Sequence, residues 1–110
     1  MSNVPTLPDP LPKHWKLSDA QGFLVGVLAD RCPDFTPTPV LVDWLYGESW
    51  DPSDPVPARL KTLVCETRRA IEKITDKRAF IDNKRNVGYR MRAATVRDLY
   101  EHIKEKSDGA

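Results

Sequence analysis

Long hydrophobic runs are missing from this 110-residue chain; the longest span only a few residues. A membrane-crossing helix needs about 20 consecutive apolar residues, so none is expected, and no membrane partner with it. The opening residues, MSNVPTLPDPLPKHW, carry prolines where a secretory signal has its apolar stretch. The sequence therefore reads as that of a cytoplasmic protein. Cysteine is scarce. Cys32 and Cys65 lie 33 positions apart, too few and too isolated for a disulfide framework. Both are expected to be small buried hydrophobes in a reducing compartment. The two histidines, His14 and His102, are far apart in sequence, and neither has a ligand partner at helical spacing. No metal centre is expected. A Ser/His/Asp set, a paired-carboxylate motif and a glycine-rich phosphate loop are also lacking. The sequence thus offers no catalytic residue, no cofactor and no evident small-molecule ligand, and it argues against an enzyme.

What is present is one domain's worth of chain, with 40% hydrophobic and 30% charged residues. The net charge of +1 hides an asymmetry. Residues 1–57 carry three Lys/Arg against eight Asp/Glu, a balance of −5. Residues 58–110 carry fourteen against eight, a balance of +6. A split of this kind within one small domain points to a face that meets a polyanion.

Pro5, Pro8, Pro10 and Pro12 favour an extended arm over residues 1–14, ordered only if it packs on something. Ser18 and Gln21 form an S-x-x-Q capping pair that opens a first helix. Phe23, Leu24, Val27 and Leu28 recur on it at helical spacing, and Cys32-Pro33 ends it. Gly22 and Gly26 on this helix suit close packing. Thr38 is a natural N-cap, with Pro39 in the first helical position of a second helix. That helix carries Val40, Leu41, Trp44 and Leu45 and stops at Gly47. After a polar loop, Asp54 and Pro55 open a third and longest helix, over 57–74. Leu60, Leu63, Val64, Thr67, Ile71 and Ile74 make one buried stripe. Arg59, Thr62, Glu66, Arg69 and Lys73 fall on the other face, which is polar and mostly basic. The segments "AFI" and "VGYRM", with Asp82, Asn83 and Asn86 between them, read as a two-stranded hairpin with a basic tip. A last amphipathic helix is expected to open near Thr95 and run to about Ser107, carrying Val96, Leu99, Tyr100 and Ile103. Tyr100 and Ile103 would pack on the domain or form a dimer seam. Trp15, Trp44 and Trp50 read as core or lid residues.

Three fragments resemble one family in order along the chain. "VLVDWLYG" resembles the second helix of OmpR/PhoB-type winged-helix domains, often "ELLDALYG". "RRAIEKI" is similar to that family's "RLRRKL" ending of the third helix, and "RNVGYRM" to its closing strand, usually "RGVGYRL". The resemblance covers about residues 16–92. It implies a mainly α fold with a small hairpin: a three-helix core plus wing over residues 15–93, with an extra C-terminal helix over 94–107. The domain would stand alone, with no receiver domain before it. The family's function implies sequence-specific binding of double-stranded DNA by a small transcriptional regulator, with a homodimer as a possible partner state. The third helix would enter the major groove through Arg59, Thr62, Glu66, Arg69 and Lys73, with Arg68 beside them. The wing residues Asn83, Lys84 and Arg85 would approach the minor groove or backbone. Tyr89 would pack on the core, and Gly88 would let the strand pass closely. Arg90 and Arg92 would touch backbone phosphate or keep the hairpin soluble. Glu66 departs from the family pattern; it repels phosphate, although a glutamate accepts from a cytosine amino group. The alternative expectation is a winged-helix protein–protein module that does not bind DNA, using the acidic N-terminal half and the C-terminal helix.

Overall fold

The computed structural model describes residues 4–47 and 56–104, with backbone alone for Val56 and Pro57. The protein is mainly helical, with a small three-stranded antiparallel sheet. A short 3-10 helix, Lys13–Trp15, leads into α1 (Asp19–Arg31), β1 (Thr36–Pro37) and α2 (Thr38–Tyr46). The long α3 (Val56–Thr75), the hairpin strands β2 (Ile81–Lys84) and β3 (Gly88–Met91), and α4 (Ala93–Tyr100) follow. Among the described residues no helix is long and apolar enough to cross a membrane.

Local chemistry explains where the helices start and stop. The Ser18 hydroxyl accepts from Gln21 N–H, and the Gln21 side chain accepts from Ser18 N–H, so the expected capping box is present. Thr38 is not the cap of α2. Pro37 holds that position without a side-chain cap, and Thr38 N–H donates to Val87 C=O at 3.3 Å. Gly47, at φ 84°, ends α2 as expected. The Asp54–Pro55 opening of α3 lies outside the described residues, as does Trp50. α3 ends where Asp76 turns left-handed at φ 56°. α4 begins at Ala93, two residues before the expected Thr95 and on an Arg92 N-cap. The Thr95 hydroxyl is buried and accepts from Phe80 N–H at 2.9 Å, so it ties the helix to the approach of β2 instead of capping it. α4 also stops earlier than expected, at Tyr100; residues 105–110 lie outside the description.

The core is shared by all four helices and the sheet. Leu60, Leu63, Val64, Thr67 and Ile71 of α3 are buried as the stripe required, with Ile74 half-buried at its end. The two buried threonines on α3 return their hydroxyls to the preceding turn: Thr67 donates to Leu63 C=O at 2.7 Å and Thr75 to Ile71 C=O at 3.0 Å. On α1 the buried face is Leu24, Val25, Leu28 and Ala29, rotated from the expected one, so Phe23 is exposed. On α2 it is Leu41 and Val42, and Trp44 is 49% exposed rather than a core residue. Phe23 and Trp44 meet edge to face outside the core, centroids 6.4 Å apart. Trp15 is buried, and Val4, Leu7 and Leu11 of the proline-rich segment pack on the core, so the arm is ordered against the domain. Gly22 and Gly26 are not close-packed; a Cβ at either would meet nothing. On α4, Val96 and Leu99 are buried, Ile103 packs on the core beyond the helix, and Tyr100 is exposed.

The sheet has one strand more than the expected hairpin. β3 is central, with β1 on one side (Thr36↔Tyr89, Pro37↔Gly88) and β2 on the other (Ile81↔Met91 to Lys84↔Gly88). Asp82 and Asn83, expected in the turn, belong to β2. Gly88 allows β1 to approach. A Cβ there would overlap the Thr36 carbonyl oxygen and lie 2.7 Å from its carbon. Tyr89 and Met91 point into the core, and burial holds the Tyr89 hydroxyl above its usual range, neutral.

Candidate nucleic-acid interface

α3 is the longest helix among the described residues, and its outward face is polar. At about 100° per residue, Thr62, Cys65, Arg69 and Lys73 fall within a sector of about 80°. Arg59, Thr62, Glu66, Arg69 and Lys73 are all exposed, as their spacing opposite the buried stripe requires. Cys65 is exposed among them, not buried, because it stands on the polar side of the helix, one residue past Val64. Cys32, by contrast, is buried, and burial raises its thiol above the usual value. Leu63 belongs to the core and is unavailable to any ligand.

Each flank of this face meets a different neighbour. On one side Arg68 donates to Ile81 C=O at 3.3 Å, and Glu72 accepts from Ala79 N–H at 3.1 Å. These two contacts fix the base of the β2–β3 hairpin against α3. Lys61 lies one helical repeat before Arg68, exposed on this same flank, and is absent from the sequence-derived set. Its i, i+7 relation to Arg68 is the signal that could have found it. On the other side Glu66, Arg69 and Lys73 border a groove of about 750 Å³ shared with the 3-10 helix and the turn after α4.

The hairpin tip carries the three other sequence-derived residues, and all are exposed. A three-residue loop joins Lys84 to Gly88, closed by Val87 N–H donating to Lys84 C=O at 3.0 Å, with Asn86 left-handed at φ 64°. Strand alternation separates the residues before the loop. Asn83 shares the sheet face of Ile81, whereas Lys84 is on the opposite face, its ammonium 5.9 Å from the Phe35 ring centroid. Arg85 stands in the loop itself. Among the described residues Arg85, Arg69 and Lys73 have no carboxylate within ion-pair distance.

Arg90 and Arg92 are differently placed. Both bond the Asp82 carboxylate, at 3.0 Å, and stack on aromatic rings, Arg90 over Phe35 at 4.7 Å and Arg92 over Phe80 at 4.9 Å. The Arg92 bond above all, then that of Arg90, holds the Asp82 carboxyl below its ordinary value against the opposing effect of burial. Two guanidiniums on one carboxylate leave this trio with one net positive charge, beside Lys84 on the same outer sheet face.

His14 and His102, remote in sequence, are brought together without forming a metal site. His14 Nε2–H and the Trp15 indole N–H both donate to His102 C=O, at 3.2 and 2.9 Å, and His102 Nδ1–H donates to Asp98 C=O at 2.8 Å. No cluster of metal-ligating side chains occurs among the described residues. No protein-family model matches the chain, and no similar curated protein or solved structure was found.

Proposed function

We propose that the chain is a winged-helix module that binds double-stranded DNA and acts as a small transcriptional regulator. The order helix, strand, helix, helix, hairpin and the resemblance of the "VGYR" strand to OmpR/PhoB-type domains support this reading. The observation that carries it is the exposed polar face of α3, whose Arg69 and Lys73 have no carboxylate within ion-pair distance among the described residues, flanked by a basic hairpin. α3, about 10–12 Å across with its side chains, matches a major groove about 12 Å wide. Arg69 and Lys73, with Lys61 and Arg68 on the hairpin flank, reach phosphates or base edges. Arg85 at the tip takes the neighbouring backbone or minor groove. Two copies on paired half-sites would add the contacts that a single module lacks.

Cys65 makes this reading directly testable, because it is exposed on that face while Cys32 is buried. Maleimide labelling of Cys65 is followed with and without a duplex whose binding is monitored by fluorescence anisotropy. The expected result is several-fold slower labelling with duplex, restored by added salt as the phosphate contacts release. Unchanged labelling of a protein saturated with duplex would remove α3 from the interface. No binding at micromolar protein and low salt would remove DNA altogether.

A second reading has one observation behind it. Phe23 and Trp44 form an exposed aromatic pair on the acidic half of the chain, a feature that suits a protein–protein module. Under that reading Lys84→Ala and Arg85→Ala leave the protein's associations unchanged.

A further inference from the structure

We propose that the groove beside α3 is a second phosphate clamp, holding the DNA strand on the flank of the helix away from the hairpin. This rests on the duplex-binding reading above. A helix lying in the major groove has one sugar–phosphate backbone along each of its sides. The hairpin with Arg85 serves one side, and the groove rim stands on the other.

The rim is cationic. Lys16, Arg69, Lys73 and Lys104 border it, with Glu66 and Asp76 as its acidic members. Among the described residues none of the four cations has a carboxylate within ion-pair distance. The floor is apolar, made by Trp15, Ala70 and Ile74, so charges on the rim work beside a low-dielectric wall.

Lys16 and Lys104 come from opposite ends of the described chain and are brought to the rim beside Arg69 and Lys73 of α3. The indole of Trp15 and the ring of His14 grip His102 C=O, which sets Lys16 and Lys104 on the same rim. Lys16 is itself held left-handed at φ 56°, with its N–H bonded to Lys13 C=O at 3.0 Å. Glycine takes that conformation without steric cost, and a lysine does not. Lys16 thus stands where glycine would fit with less strain, and its side chain borders this rim.

The same conformation supplies a clean variant. Lys16→Gly suits the backbone and removes the charge, so its melting temperature should equal or exceed that of the wild type. Lys104→Ala removes the charge at the other end of the rim. Anisotropy with a labelled random-sequence duplex is measured across a salt series for wild type, Lys16→Gly/Lys104→Ala and Arg85→Ala. The double variant should bind several-fold more weakly at low salt, and its log–log salt slope should fall by about 0.9 for each lost contact. Wild-type affinity and slope in the folded double variant, with a reduced slope in Arg85→Ala, would overturn the clamp and leave the duplex reading standing. Absence of binding by the wild type would overturn both.

Discussion

Replacing Gly88 by alanine puts a methyl group into the seam between β1 and β3. It would overlap the Thr36 carbonyl oxygen and lie 2.9 Å from Pro37 Cα. Both are backbone atoms, so no side chain can turn aside. The strands must part, which loosens the pairs Thr36↔Tyr89 and Pro37↔Gly88 and the bond from Thr38 N–H to Val87 C=O. Overpacking of a rigid site costs about 1–3 kcal/mol, and each backbone bond lost adds about 1 kcal/mol. The expected loss is about 3 kcal/mol, or about 12 °C in melting temperature at about 4 °C per kcal/mol for a chain of this size. Gly26→Ala is the matched control. It lies in α1 with open space where its Cβ would be, so the helix gains about 0.5–1 kcal/mol from the lost chain entropy alone. One substitution should lower the melting temperature and the other raise it. Circular dichroism melts at neutral pH, supported by urea denaturation, measure both. A Gly88→Ala protein melting within about 3 °C of wild type, or two shifts of the same sign, would refute the argument from close approach.

Two further predictions concern single side chains. The Thr36 hydroxyl is the one buried side-chain polar atom among the described residues with no hydrogen-bond partner, so Thr36→Val should stabilise by about 1 kcal/mol in urea denaturation. Asp82 is held ionised by Arg92 and Arg90, its pKa below the ordinary carboxylate value. Asp82→Asn should therefore lower the melting temperature by about 2 °C at pH 7. Because the folded pKa is the depressed one, that difference should persist down to about pH 5 and close as pH falls below about 4. A difference that widens on acidification would contradict the pairing.

Much of the helical framework was legible in the sequence, and the reasons are local. Ser18 and Gln21 cap each other within one turn. The α3 stripe, Leu60 to Ile74, repeats over about four turns, enough to fix which side faces inward. The faces of α1 and α2 were misread because two overlapping apolar stripes exist on each. On α1, Leu24 and Leu28 fit with either Phe23 and Val27 or Val25 and Ala29, and periodicity cannot choose between them. Packing against α3 and β3 does. β1 is two residues long and ends in proline, too short for any alternation to register. Thr95 was expected to open the last helix, but its hydroxyl is committed to Phe80 N–H across the chain. On the proposed interface, spacing separated the exposed face of α3 from its core. It did not reveal that Lys84 and Asn83 sit on opposite sides of the sheet, nor that residues near 15 and 102 meet.

That last meeting has a consequence for how the ends of the described chain are held. The bond from the Trp15 indole to His102 C=O closes a loop of 87 residues, so its closure entropy is borne only after the helices between have packed. α3 and the hairpin hold each other through separate contacts, Arg68 to Ile81 C=O and Ala79 N–H to Glu72. Because the Trp15 indole is itself part of the core, the bond ties both ends of the described chain to the packing of the domain, and breaking it would cost core burial as well as a hydrogen bond.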